Sequence, residues 1–214
     1  MFTRSRCRAW GAASFAAVLG IAAQFPAQAA APAAPAGLAT CVACHGTQGQ
    51  GSAAGVPRLA GQNAQYLENA LAMFKTGKRS NPVMQPIAAG LDDAAMHALA
   101  TYFAGLQGVA LAPAAPPPAD LVRAGEELAR VGAVSDPTPP CFSCHGADSR
   151  AANPHFPAIE GQPAAFTVDR LHEFQARARA KAPDPATMTA VAARLNETQI
   201  RQVAAYLSTL KPAP

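Results

Sequence analysis

A six-residue motif that occurs twice constrains the fold of this chain more than any other feature of its sequence. The segment CVACHG at 41–46 recurs as CFSCHG at 141–146, at an offset of 100 residues. The match continues at this offset as far as Phe74 and then at an offset of 104. The matched residues beyond the motif are Pro57 and Pro157, Gly61 and Gly161, Gln62 and Gln162, Leu71 and Leu171, Phe74 and Phe174, Met84 and Met188, Leu91 and Leu195, Tyr102 and Tyr206, and Leu106 and Leu210. This self-similarity predicts two homologous modules, with four extra residues in one loop of the second.

The CxxCH spacing has the chemistry of covalent haem attachment. Two cysteines three apart on a helical turn project to the same side and can bind a porphyrin edge through two thioethers, while the adjacent histidine supplies an axial iron ligand. We therefore expect two covalently bound haem c groups. The attachment residues are Cys41, Cys44, Cys141 and Cys144, and the first iron ligands are His45 and His145.

Three other interpretations of the cysteine pairs are weaker. A four-cysteine zinc site usually separates its CxxC pairs by about 15 to 20 residues, whereas 96 residues and a proline-rich segment lie between these pairs. A thioredoxin-like redox pair requires a βαβ context, which the hydrophobic pattern lacks. Disulfide bonds would leave both adjacent histidines unexplained.

The second axial ligand must come from elsewhere in each module. Met188 is the only methionine of the second module and stands in an Ala- and Pro-rich loop, and the repeat then assigns Met84 in the first. Met96 falls on a predicted apolar helix stripe and Met73 on a predicted helix surface, so neither is a good candidate. A His/Met pair raises the reduction potential relative to bis-histidine ligation.

Other residues near the haem sites have two interpretations each. Arg79, Arg177 and Arg179 could pair with haem propionates, or could belong to exposed basic loops. His97 and His172 are expected on helix surfaces. His155 lies near the second haem in the sequence and could touch the haem edge or replace Met188.

The hydrophobic spacing is helical in both modules. Apolar residues recur at 3–4 spacing before Gly77 and after Asp92, and Asn196 can cap the last helix of the second module. The second module also has an opening helix at about 120–131, whereas only a short Ala- and Pro-rich segment precedes Cys41. No segment alternates as a β-strand, so the fold is expected to be all-α.

The chain divides into a leader, two domains and a linker. Three arginines precede an apolar run at 10–23 and the small-residue site AQA at 27–29, which is the pattern of a secretory signal peptide cleaved near Ala29. The run is shorter than the roughly 20 residues of a membrane span. We expect a signal peptide at 1–29, a first haem-binding domain at 30–109, a Pro-rich linker at 110–119 and a second haem-binding domain at 120–214, with the mature protein in the periplasm.

Charge and composition exclude several function classes. Without the three leader arginines, 17 basic against 13 acidic residues become 14 against 13, so nucleic-acid binding loses its main support. The mature sequence has no phosphate-binding glycine motif and no apolar run long enough to span a membrane. We expect a monomer that is soluble or only peripherally associated with a membrane. Because 54 of the 214 residues are alanine, large core side chains are few, and the protein should fold poorly without haem.

These residues resemble those of class I cytochromes c, and the mature chain is similar to the two-haem cytochrome c4 family. The resemblance is carried by both CxxCHG motifs, the two Pro-x-x-x-Gly-Gln segments, the Met84 and Met188 loops and the final AxYF and AxYL helices. It implies two tandem class I cytochrome c domains, each a small helical bundle around a covalently attached haem with His/Met ligation. The chain departs from the family pattern in three ways, since the first module lacks most of the opening helix, Ala190 replaces the proline found at Pro86, and the second methionine loop is four residues longer.

The resemblance implies an electron carrier and not an enzyme. Its partners would be redox proteins: a respiratory or dehydrogenase donor, such as the cytochrome bc1 complex, and a terminal oxidase or other acceptor. Similar paired modules also occur as cytochrome subunits of membrane-bound dehydrogenases. Two further alternatives stay open, a two-haem peroxidase or sulfur-oxidising enzyme with a labile ligand at Met188, and a haem-based gas sensor.

Overall fold

The computed structural model describes residues 34–109, 111, 115–133, 138–146 and 153–212, so the predicted signal peptide at 1–29 lies outside it. The helices are α1 Leu38–His45, α2 Ala64–Lys75, α3 Met84–Ala89, α4 Asp93–Ala104, α5 Ala119–Arg130, α6 Phe142–His145, α7 Ala164–Ala180, α8 Met188–Ala192 and α9 Glu197–Thr209. Within these ranges the only β-structure is an isolated bridge between Ala133 and Thr138, which confirms the all-α prediction. None of the described helices is both long and apolar enough to cross a membrane.

The order of the helices reproduces the repeat. Helices α1 to α4 form the first module, and α6 to α9 form the second in the same order, with α5 added in front. In the first module the helix that carries the CxxCH motif begins only at Leu38, and no separate opening helix lies between residue 34 and that point. The prediction that the first module has little N-terminal helix is therefore confirmed for the described residues.

Local sequence signals fix the starts of the longer helices. The side-chain oxygen of Asp92 accepts a hydrogen bond from the Ala95 amide at 2.8 Å and caps α4. At the start of α9, Asn196 and Gln199 form a reciprocal capping box. Both caps were predicted, and a third, from Asn63, starts α2.

The four extra residues of the second module lengthen a helix, so their prediction as a loop insertion was wrong. Helix α2 stops at Lys75 because Gly77 follows in a left-handed conformation, with φ of 72°. The matching stretch of α7 contains no glycine, and the helix continues to Ala180 before Pro183 prevents further extension. Arg177 and Arg179 consequently lie on α7 and not in a loop.

Helix α5 packs across α9 and gives the second module the larger core. At the crossing point Gly125 brings the two backbones together, since a Cβ atom there would lie 2.0 Å from the carbonyl oxygen of Gln202. The buried core residues of this module are Leu128, Ala129, Leu171, Ala192, Leu195, Ile200, Val203, Tyr206 and Leu207. The buried cluster of the first module contains Leu67, Ala100 and Phe103.

Hydrogen bonds between the two modules have a pseudo-twofold arrangement. The Gln62 amide donates to the carbonyl oxygen of Ala158 at 3.0 Å and accepts from its N–H at 2.7 Å. The Gln162 amide pairs in the same way with the backbone of Arg58, at 3.1 Å for both bonds. Arg58 is 1% exposed. Its guanidinium donates hydrogen bonds to the backbone oxygen of Ala60 and to that of Glu160, the latter at 2.8 Å. The linker sequence predicted neighbouring modules without a defined arrangement, and these bonds define one.

Candidate haem sites

The two motif histidines are buried and held in one orientation by their own modules. His45 and His145 end α1 and α6, and each is 6% exposed. Nδ1 of His45 lies 2.9 Å from the carbonyl oxygen of Pro57, and Nδ1 of His145 lies 2.8 Å from that of Pro157. A carbonyl oxygen can only accept, so each Nδ1 carries the hydrogen and Nε2 is free to bind a metal.

The environment of these histidines favours the neutral imidazole. Burial lowers the pKa of His45 and of His145 below the ordinary value, and the hydrogen bonds to the proline carbonyls oppose this effect only in part. A neutral ring whose Nδ1 hydrogen is engaged presents an Nε2 lone pair, which is the form that coordinates iron. The orientation and the protonation state of both imidazoles therefore suit coordination of iron.

Met188 faces His145 in the second module. The Met188 sulfur lies 3.5 Å from Nε2 of His145. Met188 is the first residue of α8, where Thr187 caps the helix through its side-chain oxygen. The prediction of a loop position was therefore wrong in detail, because the methionine begins a short helix.

Met84 has the equivalent position as the first residue of α3. Its backbone is held by Asn81, whose side-chain oxygen accepts from the amides of Val83 and Met84 at 3.0 and 2.9 Å. Met96, by contrast, is buried in α4 at 3% exposure, which confirms its predicted packing role. Both proposed methionine ligands thus start short helices that follow the long helix of their module.

The cysteines of each motif differ in exposure. Cys41 and Cys141 are half-buried, whereas Cys44 and Cys144 are exposed. Burial raises the pKa of Cys141 to about 11, so this thiol stays protonated near neutral pH. The exposed second cysteine of each pair places one side of each attachment site at the protein surface.

The other histidines lie away from these pairs. His97 pairs with Glu68 at 3.0 Å and His172 with Glu197 at 2.8 Å, and both rings are substantially exposed, as predicted. Exposed His155 hydrogen-bonds through Nδ1 to Asn69 of the first module at 2.7 Å. It therefore links the two modules, and Met188 occupies the position facing His145.

The arginines near the sites were predicted only in part. Arg79 is buried at 7% exposure, which excludes the exposed-loop alternative for this residue, whereas Arg179 is exposed near the end of α7. Arg170, which is largely buried on α7, was missed. The available signal was that Arg170 replaces Ala70 of the first module, at a position where a helix buries its inner face.

The described residues fit haem c attached through CxxCH. Each module provides a correctly oriented neutral histidine, and the second brings a methionine sulfur opposite to it. These features agree with a prosthetic group that completes both modules.

Comparisons with known proteins give the same result for the whole chain. A family model described as cytochrome c matches residues 30–107 and again residues 138–211. The chain is 38% identical over 183 residues to a thiosulfate dehydrogenase electron acceptor of Thiomonas intermedia (strain K12), with 85% of this chain and 83% of that protein covered.

Two solved structures resemble the fold. The crystal structure of reduced recombinant cytochrome c4 from Pseudomonas stutzeri is 31% identical with a TM-score of 0.72, over 81% of this chain and 94% of that one. The thiosulfate dehydrogenase (TsdBA) from Marichromatium purpuratum is 34% identical with a TM-score of 0.68. That match covers 80% of this chain but only 36% of the Marichromatium chain.

Proposed function

The chain belongs to the cytochrome c family and is a two-haem electron carrier of the cytochrome c4 type, and on this basis we propose that it acts in the periplasm and receives electrons from a thiosulfate-oxidising dehydrogenase. Each bound haem c supplies a one-electron ferric/ferrous couple. The protein would supply a histidine and a methionine to each iron and would exclude water from it. The proposed domains are 30–109 and 120–214, joined by the linker at 110–119.

We assign the first haem to Cys41 and Cys44 with His45 and Met84 as iron ligands, and the second to the residues matched by the repeat. The second set is Cys141, Cys144, His145 and Met188. The carbonyl oxygens of Pro57 and Pro157 keep both imidazoles in the orientation and tautomer that binding requires. Thioether sulfur opposite imidazole raises the reduction potential, which suits a carrier that accepts electrons from a dehydrogenase.

The distance of 3.5 Å between the Met188 sulfur and Nε2 of His145 is the observation that most favours electron transfer over catalysis. An enzyme that binds peroxide or a sulfur substrate at iron needs an open or exchangeable position, and the short distance between the Met188 sulfur and Nε2 of His145 instead supports a second haem site that methionine closes. The first test is to record visible spectra of the haem-loaded protein in both redox states and then add carbon monoxide to the reduced form. Two low-spin haems that do not bind the gas are expected, and rapid binding at one haem would favour the enzyme alternative.

The proposed electron donor is inferred from the descriptions of two related proteins. The Thiomonas protein is described as the electron acceptor of thiosulfate dehydrogenase, and the Marichromatium structure is a thiosulfate dehydrogenase that contains a similar region. With 14 basic and 13 acidic residues after position 29, net charge gives little long-range steering, so docking depends on local contacts around the exposed Cys44 and Cys144. A terminal oxidase remains the proposed acceptor.

Stopped-flow mixing tests this donor directly. The oxidised protein is mixed with purified thiosulfate dehydrogenase and thiosulfate, and the reduced haem bands are followed. We expect reduction within turnover times that depends on the enzyme concentration, and no reduction by thiosulfate alone. Fast reduction by the cytochrome bc1 complex with none by thiosulfate dehydrogenase would instead assign the chain to a respiratory donor.

A further inference from the structure

In each domain a side chain of the long helix binds the backbone segment that follows the short methionine helix. Lys75 and Gln175 occupy the matched position, one residue after the matched phenylalanines. Nζ of Lys75 donates to the carbonyl oxygen of Leu91 at 2.6 Å. Nε2 of Gln175 donates to the carbonyl oxygens of Ala192 at 3.0 Å and of Leu195 at 2.7 Å. Since the repeat matches Leu91 with Leu195, the same connection occurs in both domains through different chemical groups.

The two hydrogen bonds of Gln175 join α7 to the junction between α8 and α9. Helix α8 ends at Ala192, and Leu195 directly precedes the residue that caps α9. Both residues are buried, at 0% and 7% exposure. The Ala192 carbonyl also accepts from the Leu195 amide at 3.1 Å, so a turn and a side chain bind at the same point. Because carbonyl oxygens can only accept, the amide group of Gln175 must turn its two hydrogens toward them.

The start of α8, where Met188 lies, is strained and held by local contacts. Ala186 has a φ of 59°, in the left-handed region that is unfavourable for a residue with a Cβ atom. The Thr187 side chain caps the helix through a bond of 3.3 Å from the Ala190 amide. Helix α8 has only five residues, too few to be stable by itself. The position of Met188 therefore depends on contacts that hold the rest of α8.

The greater length of α7 increases this dependence. Helix α2 ends at Lys75, so the chain of the first domain leaves its long helix at the level of the bond to Leu91. Helix α7 continues five residues beyond Gln175 to Ala180, which is about 7.5 Å along the helix axis. The segment that leads to the second methionine begins farther from this level than its counterpart, and Gln175 holds the far end of that segment.

We propose that Gln175 is a positioning residue for the second haem, because by binding the end of α8 it keeps the Met188 sulfur opposite Nε2 of His145. Lys75 has the same role for Met84 in the first domain. The inference rests on the proposed His/Met ligation. Gln175 would act through the backbone of α8 and not through contact with iron. Loss of its hydrogen bonds should therefore let an external ligand displace Met188 more easily, with no change at the first haem.

The test is a titration of the oxidised, haem-loaded protein with imidazole, a neutral ligand that competes with methionine for ferric iron. Loss of the methionine-to-iron charge-transfer band measures displacement, and the paramagnetically shifted NMR signal of each axial methionine methyl group assigns it to a domain. For Gln175→Leu we expect an apparent imidazole affinity about tenfold higher at the second haem alone, the scale of a lost hydrogen bond. Gln175→Lys supplies the donor used in the first domain and should restore the affinity of the parent protein.

The matched control is Gln202→Leu on α9 of the same domain. This half-buried glutamine has no side-chain hydrogen bond among the described residues, so its replacement should leave both affinities unchanged. An unchanged affinity in Gln175→Leu, an equal rise in Gln202→Leu, or a lysine variant that behaves like the leucine variant would overturn the proposal. If Gln175→Leu does not take up haem, Lys75→Leu tests the same relationship at the first haem, where the absence of a rise would also overturn it.

Met188→Ala separates this result from the proposed function. This variant should bind imidazole at the second haem without competition from methionine. If its affinity equals that of the parent protein, the assignment of Met188 as ligand fails, and the positioning role fails with it. Tight binding by Met188→Ala together with unchanged binding by Gln175→Leu would overturn the positioning role alone. No electron donor takes part in the titration, so failure of the thiosulfate dehydrogenase experiment would not affect this result.

Discussion

Gln62 and Gln162 occupy matched positions of the two domains, and each forms hydrogen bonds with the backbone of the other domain. In both cases the bonded backbone belongs to the residue four positions before the other glutamine. Gln62 pairs with both backbone groups of Ala158, and Gln162 pairs with both backbone groups of Arg58. All four residues are buried. The repeat therefore places the same side chain on both sides of a pseudo-twofold interface, which fixes how the two haem sites face each other.

Replacing Gln162 by alanine should loosen this interface. The change leaves the N–H and C=O of Arg58 unpaired in a buried position, and each such group costs about 1 to 3 kcal/mol. We expect faster hydrogen exchange at the Arg58 amide and a lower unfolding temperature. Gln65→Ala, which removes an exposed glutamine from α2, is the matched control. Unchanged exchange at Arg58 would show that these hydrogen bonds do not stabilise the interface.

The sequence predicted the repeat, the helical class and the cap residues Asp92 and Asn196, because these depend on local spacing. It did not predict the interface, since a glutamine that recurs in both domains is equally compatible with a bond inside each domain. The added turns of α7 were assigned to a loop, although the absence of a glycine matching Gly77 was visible. The burial of Arg170 was missed because its environment includes Arg79. That residue is 91 positions away in the sequence and comes near Arg170 only in the folded protein.

Replacing Met188 by alanine should open one coordination position at the second haem. The sulfur that faces His145 is then lost, and the reduced variant should bind carbon monoxide at one haem of the two. Met84→Ala should give the same result at the first haem. The control is Met73→Ala, because this half-buried methionine lies on α2 and is not the residue that the repeat matches to Met188.

The outcome is read from difference spectra and from the amount of gas bound per protein. Carbon monoxide binding at neither haem of Met188→Ala would mean that another group supplies the ligand. Binding by Met73→Ala would contradict the assignment of Met84 in the first domain. A double variant that binds two molecules of the gas would support both assignments together.

Replacing Gly125 by valine should separate α5 from α9. Even a Cβ atom at this position would lie 2.0 Å from the Gln202 carbonyl oxygen and 2.8 Å from Cβ of Tyr206, so the helices cannot keep their present distance. Overpacking of this kind typically costs about 1 to 3 kcal/mol or more. Thermal unfolding of the haem-loaded variant should begin in the second domain, whereas Gly90→Ala, where the nearest atom is 3.6 Å away, should have little effect. Equal stability of the two variants would show that α5 is not held by this close approach.

Protein that lacks haem should retain more structure in the second domain than in the first. The second domain has one connected buried cluster of nine residues that includes α5 and α9, whereas the connected cluster of the first contains Leu67, Ala100 and Phe103, and its other buried apolar residues lie outside that cluster. A small domain with few large side chains needs a cofactor or another staple to fold cooperatively. For the chain expressed without haem attachment, we therefore expect loss of near-ultraviolet circular dichroism, with amide protection that persists longer in α9 than in α4. The haem-loaded protein is the reference, and a single cooperative, native-like unfolding transition of the haem-free chain would contradict the prediction.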